Sequence, residues 1–316
     1  MKSLFYAMRP RRHFACYENV LGTSLEFQTI GTNHSAGPLA EVALLAEIDR
    51  LEIIFNAYAP VSELSRWQQT IGESVPVSRE LAELLAVSEN WRLKTQGAFN
   101  PAVEALTRLW AAADEQDRLV EETVLQETVA ELNKPLWEID WAGPRARRLS
   151  PLPVTLNSIA KGFIVDCACR KAASVEGIQE ILVSIGGDLR HMGRKPIEVA
   201  IADPFADAEN ALPAATIHLF NQGLATSGNY RRGFNIQGQH FSHMLDPRSG
   251  KPVEETVSVS VIASNTQSAD VLATAFSVLS PEQSLSIANS LTGVGVFIIT
   301  PTGQRFTNNL WNQQQC

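Results

Sequence analysis

Residues 224–253 read LATSGNYRRGFNIQGQHFSHMLDPRSGKPV, and they constrain the fold more than any other part of the chain. Short strand-like runs alternate there with Ser-Gly-Asn, Gly-Gln and Asp-Pro-Arg-Ser-Gly turns, so the stretch can form hairpins but neither a long helix nor a parallel βαβ unit. Two functional readings stay open. The turns are ordinary hairpin chemistry, or they build a site for an anionic ligand in which Tyr230, Arg231 and Arg232 meet phosphate and His243, one of six histidines, does chemistry.

A second segment, Ser268–Leu279 (SADVLATAFSVL), opens a helix after the β-rich run Val257–Ala263. Asp270 and Thr274 stand four apart and leave the same helix face. A carboxylate and a hydroxyl are hard oxygen ligands, suited to Mg²⁺ rather than zinc. The competing reading is an acidic residue near a helix N-terminus and a Thr bonded to its own helix.

Taken in order along the chain, several motifs are similar to those of the FAD:protein FMN transferase, or ApbE, family. They are Leu21-Gly22-Thr23, Tyr58-Ala-Pro-Val-Ser-Glu-Leu-Ser-Arg66, Gly97-Ala-Phe-Asn-Pro101 with Leu109-Trp110, and Ile159-Ala-Lys-Gly-Phe163 with Asp166. Val183-Ser-Ile-Gly-Gly-Asp188, Ala225-Thr-Ser-Gly-Asn-Tyr-Arg231, Ser242-His-Met-Leu-Asp-Pro-Arg-Ser-Gly250 and Ala269-Asp-Val-Leu-Ala-Thr274 complete the series. The resemblance implies a Mg²⁺-dependent transfer of FMN from FAD to a Ser or Thr hydroxyl of an acceptor flavoprotein, with release of AMP. It implies His243 as general base and Ser158, Asp270 and Thr274 as metal ligands. Leu21, Tyr58, Ala98, Phe99, Asn100, Thr155, Lys161 and Leu245 are implied as FAD contacts. Three positions depart from the family pattern: Leu21 stands where Met is usual, and Asn100 and Thr155 stand where Asp is usual. The loss of the carboxylate at Thr155 bears on the adenine or ribose side of the nucleotide. Two further activities fit the same residues: an FAD pyrophosphatase, with water in place of the protein hydroxyl, and a non-catalytic FAD carrier.

A net charge of −8 excludes a broad nucleic-acid surface, so any anion site is local. The four cysteines form no disulfide framework; Cys167 and Cys169, two apart on an expected helix, do not face one another. Residues 1–16 read as a tail without a signal peptide, because Met1–Met8 is too short for an apolar export core before Arg9-Pro10-Arg11-Arg12. That implies a cytoplasmic protein, or a periplasmic one should the start be truncated. No run approaches a membrane span.

Residues 17–316 are expected to form one compact α+β (mixed α/β) domain, its antiparallel-rich sheets flanked by helices. Tyr17–Ile30 reads as an opening strand or hairpin, followed by helices at Leu39–Phe55, where Val42, Leu45, Ile48, Leu51 and Phe55 have helical spacing, and at Ser78–Lys94 with Ser78 as cap. Thr107–Asn133 reads as one solvated helix, Leu136–Leu156 as a β meander, and Ser158–Ser174 as a helix whose free N–H groups can hold a phosphate. Strands are expected at Ile181–Ile185, Ile197–Asp203, Ala215–Phe220, Thr256–Ala263 and Val294–Thr300, with a helix at Pro281–Ser290.

Overall fold

The structure, a computed structural model, describes residues 10–206, 211–228 and 233–316. The chain opens on a hairpin of β1 (Arg11–Val20) and β2 (Thr23–Gly31), turned by Leu21 and Gly22 in left-handed backbone. β1 begins six residues before the expected strand start at Tyr17. His13 and Tyr17 both hydrogen-bond Glu41, which anchors an Arg-rich strand that reads as a tail by composition. Helix α1 (Ala36–Phe55) buries Ala40, Leu44, Ile48, Leu51 and Phe55, a face rotated from the expected one so that Val42 is exposed. α2 (Glu63–Gln68) follows, then β3 (Ser74–Pro76) and α3 (Arg79–Lys94). The Ser78 hydroxyl accepts from Leu81 N–H, the cap read from the sequence, and Leu81, Leu84, Leu85 and Ser88 are buried.

The single helix expected over Thr107–Asn133 is two: α4 (Glu104–Glu115) and α5 (Glu122–Leu132). Asp117 takes a left-handed conformation between them, and the carboxylates of Asp114 and Asp117 accept backbone N–H groups of Asn235 and Gln237. The helix stops where its acidic residues receive a distant hairpin. β4 (Trp137–Asp140) and β5 (Arg145–Arg148) join β3 in a small antiparallel sheet. α6 (Asn157–Ala173) leads into the hairpin β6 (Ile178–Ile185) and β7 (Asp188–Met192). A separate ribbon, β8 (Ile197–Ile201) and β9 (Ala215–Leu219), precedes β10 (Gly223–Gly228). The hairpin β11 (Gly233–Ile236) and β12 (Gln239–Ser242), strand β13 (Ser258–Ala263), helices α7 (Thr266–Val278) and α8 (Pro281–Ser290), β14 (Gly295–Ile299), β15 (Arg305–Thr307) and α9 (Asn309–Gln314) complete the order.

The central sheet runs β1-β2-β6-β7-β10-β13-β14-β15, with every neighbouring pair antiparallel. One face carries Leu25, Phe27, Val183, Ala225, Val259 and Val261 against helices that include α1, α6 and α7. The other face carries Leu224, Ile262, Phe297 and Ile299 against β8, β9 and Trp311 of α9. β13 lies between the two and is buried at all six positions, so the alternation of Ser258-Val259-Ser260-Val261, which would suit a half-exposed strand, instead places two small hydroxyls inside the molecule. This is the single α+β domain of the sequence reading. No helix among the described residues is long and apolar enough to cross a membrane.

Candidate active site

A cavity of about 680 Å³ opens where α6, α7, the β1–β2 turn and the segment after β12 meet. Its wall begins with close backbone contact between two helices. A Cβ on Gly162 would lie 2.6 Å from Thr266 O and 2.8 Å from Gln267 Cα, so only glycine lets α6 approach α7 this closely. The approach is fixed by Asp166, whose two carboxylate oxygens accept from Thr266 N at 3.0 Å and Gln267 N at 2.9 Å, the free N–H groups at the start of α7. One turn earlier, Gly162 N donates to Asp270 Oδ2 at 3.2 Å, and Ser158 departs from helical geometry at the mouth of α6. The two helices therefore present Ser158, Lys161, Asp270 and Thr274 to one cavity.

Charge is concentrated beneath it. Lys161 Nζ lies 2.8 Å from Asp188 Oδ2, an ion pair at hydrogen-bonding distance. Burial would push the Lys161 ammonium down, but Asp270 and Asp188 outweigh it and hold the group above its ordinary value. Burial pushes the Asp188 carboxyl well up, and the nearby Asp270 carboxyl adds to this, against the pull of Lys161. Burial likewise raises Asp270, over the opposing effects of Lys161 and Gly162 N–H. Two buried carboxyls thus face one ammonium. Oxygen ligands from Asp270, Thr274 and Ser158 beside that excess of acid fit a hard divalent cation.

His243 lines the cavity from the opposite side, half-buried after β12. Its position is set from below. Trp110 packs on Phe241 at 5.3 Å and Phe234 at 6.2 Å and donates from its indole N–H to Gly250 O at 2.9 Å, joining α4 to both the β11–β12 hairpin and the Asp246–Gly250 turn. Arg248 closes that turn with a two-pronged bond to Asp246, at 2.9 and 2.8 Å. Leu21, in left-handed backbone with φ 50°, also lines the cavity, a conformation that costs a non-glycine residue about 1–2 kcal/mol. Tyr58 lines it with an exposed ring, its hydroxyl accepting from Asn157 Nδ2 at 3.0 Å.

Of the residues expected in the site, His243, Leu21, Tyr58, Lys161, Ser158, Asp270 and Thr274 line this cavity. Ala98, Phe99, Asn100, Thr155 and Leu245 do not. Ala98 and Phe99 are buried in a turn whose Gly97 packs beside Arg248. The Asn100 amide donates to Leu132 O at 3.1 Å and accepts from Ala102 N at 3.0 Å, so it is engaged in holding its own loop. Thr155 N donates to Pro101 O, and its hydroxyl accepts from Asn157 N at 3.4 Å. Leu245 is buried and paired with Pro252 behind His243. Tyr230, Arg231 and Arg232 lie outside the described residues. Sequence reasoning passed over Asp188, because Gly-Gly-Asp is common turn chemistry, and Glu52 and Asn56, which line the cavity from the end of α1. Their spacing of four on a helix was the available signal.

A sequence model described as the ApbE family matches residues 21–298. A protein named FAD:protein FMN transferase from Haemophilus influenzae is 31% identical, covering 92% of this chain and 90% of the relative. Its namesake in Escherichia coli strain K12 is also 31% identical, covering 90% and 86%. Among solved structures, the ApbE protein of Thermotoga maritima superposes with a TM-score of 0.84 at 24% identity, over 97% of this chain and all of that one. The apo flavinyl transferase ApbE of Pseudomonas stutzeri superposes with a TM-score of 0.80 at 26% identity, over 96% and 97%. With the match running from the β1–β2 turn to the last long strand, the chain belongs to the ApbE family.

Proposed function

We propose that this chain is a Mg²⁺-dependent FAD:protein FMN transferase, which moves FMN from FAD to a Ser or Thr hydroxyl of an acceptor flavoprotein and releases AMP. The observation that carries the reading is the convergence of His243, Lys161, Asp270 and Thr274 on one cavity large enough for a nucleotide's reactive centre. The relatives' shared name supplies the substrate class.

In this reading the acceptor hydroxyl oxygen attacks the FMN-side phosphorus of FAD. The new P–O bond forms as the bond to the AMP phosphate breaks, and His243 takes the hydroxyl proton. Asp270, Thr274 and Ser158 hold the metal, which when bound neutralises charge on the pyrophosphate. Lys161 keeps the two buried carboxyls from repelling the anionic substrate, and Tyr58 offers its exposed ring face to a planar part of FAD.

The test incubates the protein with FAD and Mg²⁺, with and without an acceptor flavoprotein, following AMP and denaturation-resistant flavin fluorescence. Labelled acceptor that depends on metal, Asp270 and His243 supports the transferase. AMP without label in the presence of a competent acceptor overturns it in favour of the pyrophosphatase, and bound FAD without AMP in favour of a carrier.

A further inference from the structure

On the face of the molecule formed by the β8–β9 ribbon, three side chains of metal-ligand type meet. Glu198 and His218 are direct cross-strand partners in β8 and β9. The chain end adds a third line beside β9, through the Ile217–Gln315 bridge and a bond from Cys316 N to Thr216 O at 2.9 Å. The burial of β9 alternates, with Ala215, Ile217 and Leu219 inward and His218 outward. Cys316, opposite Thr216, therefore shares the outward face and sits diagonally from His218. Register alone brings a carboxylate, an imidazole and a thiol together on one surface.

The distances suit an ion. Cys316 Sγ lies 3.4 Å from His218 Nδ1 and 3.8 Å from Nε2, and Glu198 Oε1 lies 3.8 Å from Nε2. One ligand atom from each residue falls within 4.8 Å of the others. A tetrahedral zinc, with bonds of about 2.3 Å to sulfur and about 2.0–2.1 Å to nitrogen or oxygen, sets its ligand atoms roughly 3.3–3.6 Å apart. Shifts of up to about an ångström in exposed side chains close the difference. The sulfur–nitrogen–oxygen set selects zinc-like ions over Mg²⁺, the reverse of the oxygen ligands in the reaction cavity.

We infer that Glu198, His218 and Cys316 form a surface site for Zn²⁺ or a similar borderline-soft divalent ion, which ties the segment after α9 to the β8–β9 ribbon. The fourth position, open to solvent, takes water. The site shares no residue with the reaction cavity, so the inference stands whether or not the proposed transfer activity does.

The experiment titrates the reduced, chelator-treated full chain, in saturating Mg²⁺, with Co²⁺ as a spectroscopic stand-in and then with Zn²⁺. The expected result is one Co²⁺ per chain with thiolate-to-cobalt charge-transfer absorption, displaced by Zn²⁺. Cys316→Ser abolishes the band, His218→Ala weakens binding at least tenfold, and Glu198→Gln weakens it severalfold. Asp270→Ala, which removes a reaction-cavity oxygen, leaves the band intact. Absence of a thiolate band, a band that survives Cys316→Ser and vanishes with Cys16→Ser, or one ion per two chains overturns the inference.

Discussion

Lys161 Nζ stands 2.8 Å from Asp188 Oδ2, an ammonium set against two buried carboxyls whose proton affinities it holds in check. Replacing it by methionine keeps the volume and removes the charge. Breaking a buried pair typically costs about 3–5 kcal/mol, less where the stranded acids can take up protons. Both acids are already raised, and a raised carboxyl adds stability that is complete below its unfolded value and disappears as pH rises through its folded value. Denaturant melts of Lys161→Met are therefore expected to show a larger deficit at pH 8 than at pH 6.

Asp188 and Asp270 keep their protons to higher pH than ordinary carboxyls, so cation binding competes with their protonation. Thermal stabilisation by Mg²⁺ is expected to grow as pH rises through their folded values, with about tenfold in affinity for each proton released per pH unit below them. Scanning melts from pH 5 to 8 with and without Mg²⁺ check this. The same series on Asp270→Ala is expected to be flat.

Gly162→Ala places a methyl 2.6 Å from the Thr266 carbonyl, backbone that cannot step aside. Overpacking of this kind costs about 1–3 kcal/mol, and the separation of α6 from α7 moves Lys161 away from Asp270. Urea unfolding and FMN transfer are both expected to fall. Activity should fall further than stability explains, measured at a temperature where the variant is fully folded.

Tyr58 lines the cavity with an exposed ring, and its hydroxyl accepts from Asn157. Tyr58→Phe is expected to leave the KM for FAD within about twofold. Tyr58→Ala should raise it about two- to tenfold, the range of one aromatic contact, with little change in kcat.

Local signals carried much of this molecule. The Ser78 cap, the Asp270–Thr274 pair and the strand–turn pattern after Leu224 are written in adjacent residues, and the structure has each of them. Elements defined by distant partners were harder to read. The break between α4 and α5 exists because Asp114 and Asp117 receive N–H groups from Asn235 and Gln237, and β1 extends to Arg11 because Glu41 waits across from it. The turn at Ala98–Asn100 is ambiguous for the opposite reason. Its glycine and polar side chain suit a ligand, and in the structure the Asn100 amide also holds its own loop, with Gly97 packed beside Arg248. No single window of sequence shows whether a polar group faces a cavity or a carbonyl.

The pairing of Leu25 in β2 with Ile185 in β6 has a consequence for synthesis. At about 5–20 residues per second, the opening hairpin leaves the ribosome roughly 7–30 seconds before its neighbour strand exists. Through that interval Leu25 and Phe27 lie on an unpaired sheet edge, open to any passing strand. The cavity wall is finished later still, when α7 emerges. A nascent chain stalled before Asp270 thus has β2 already covered by β6, but its β13 still lacks the neighbour β14, and the helix that completes the cavity is missing.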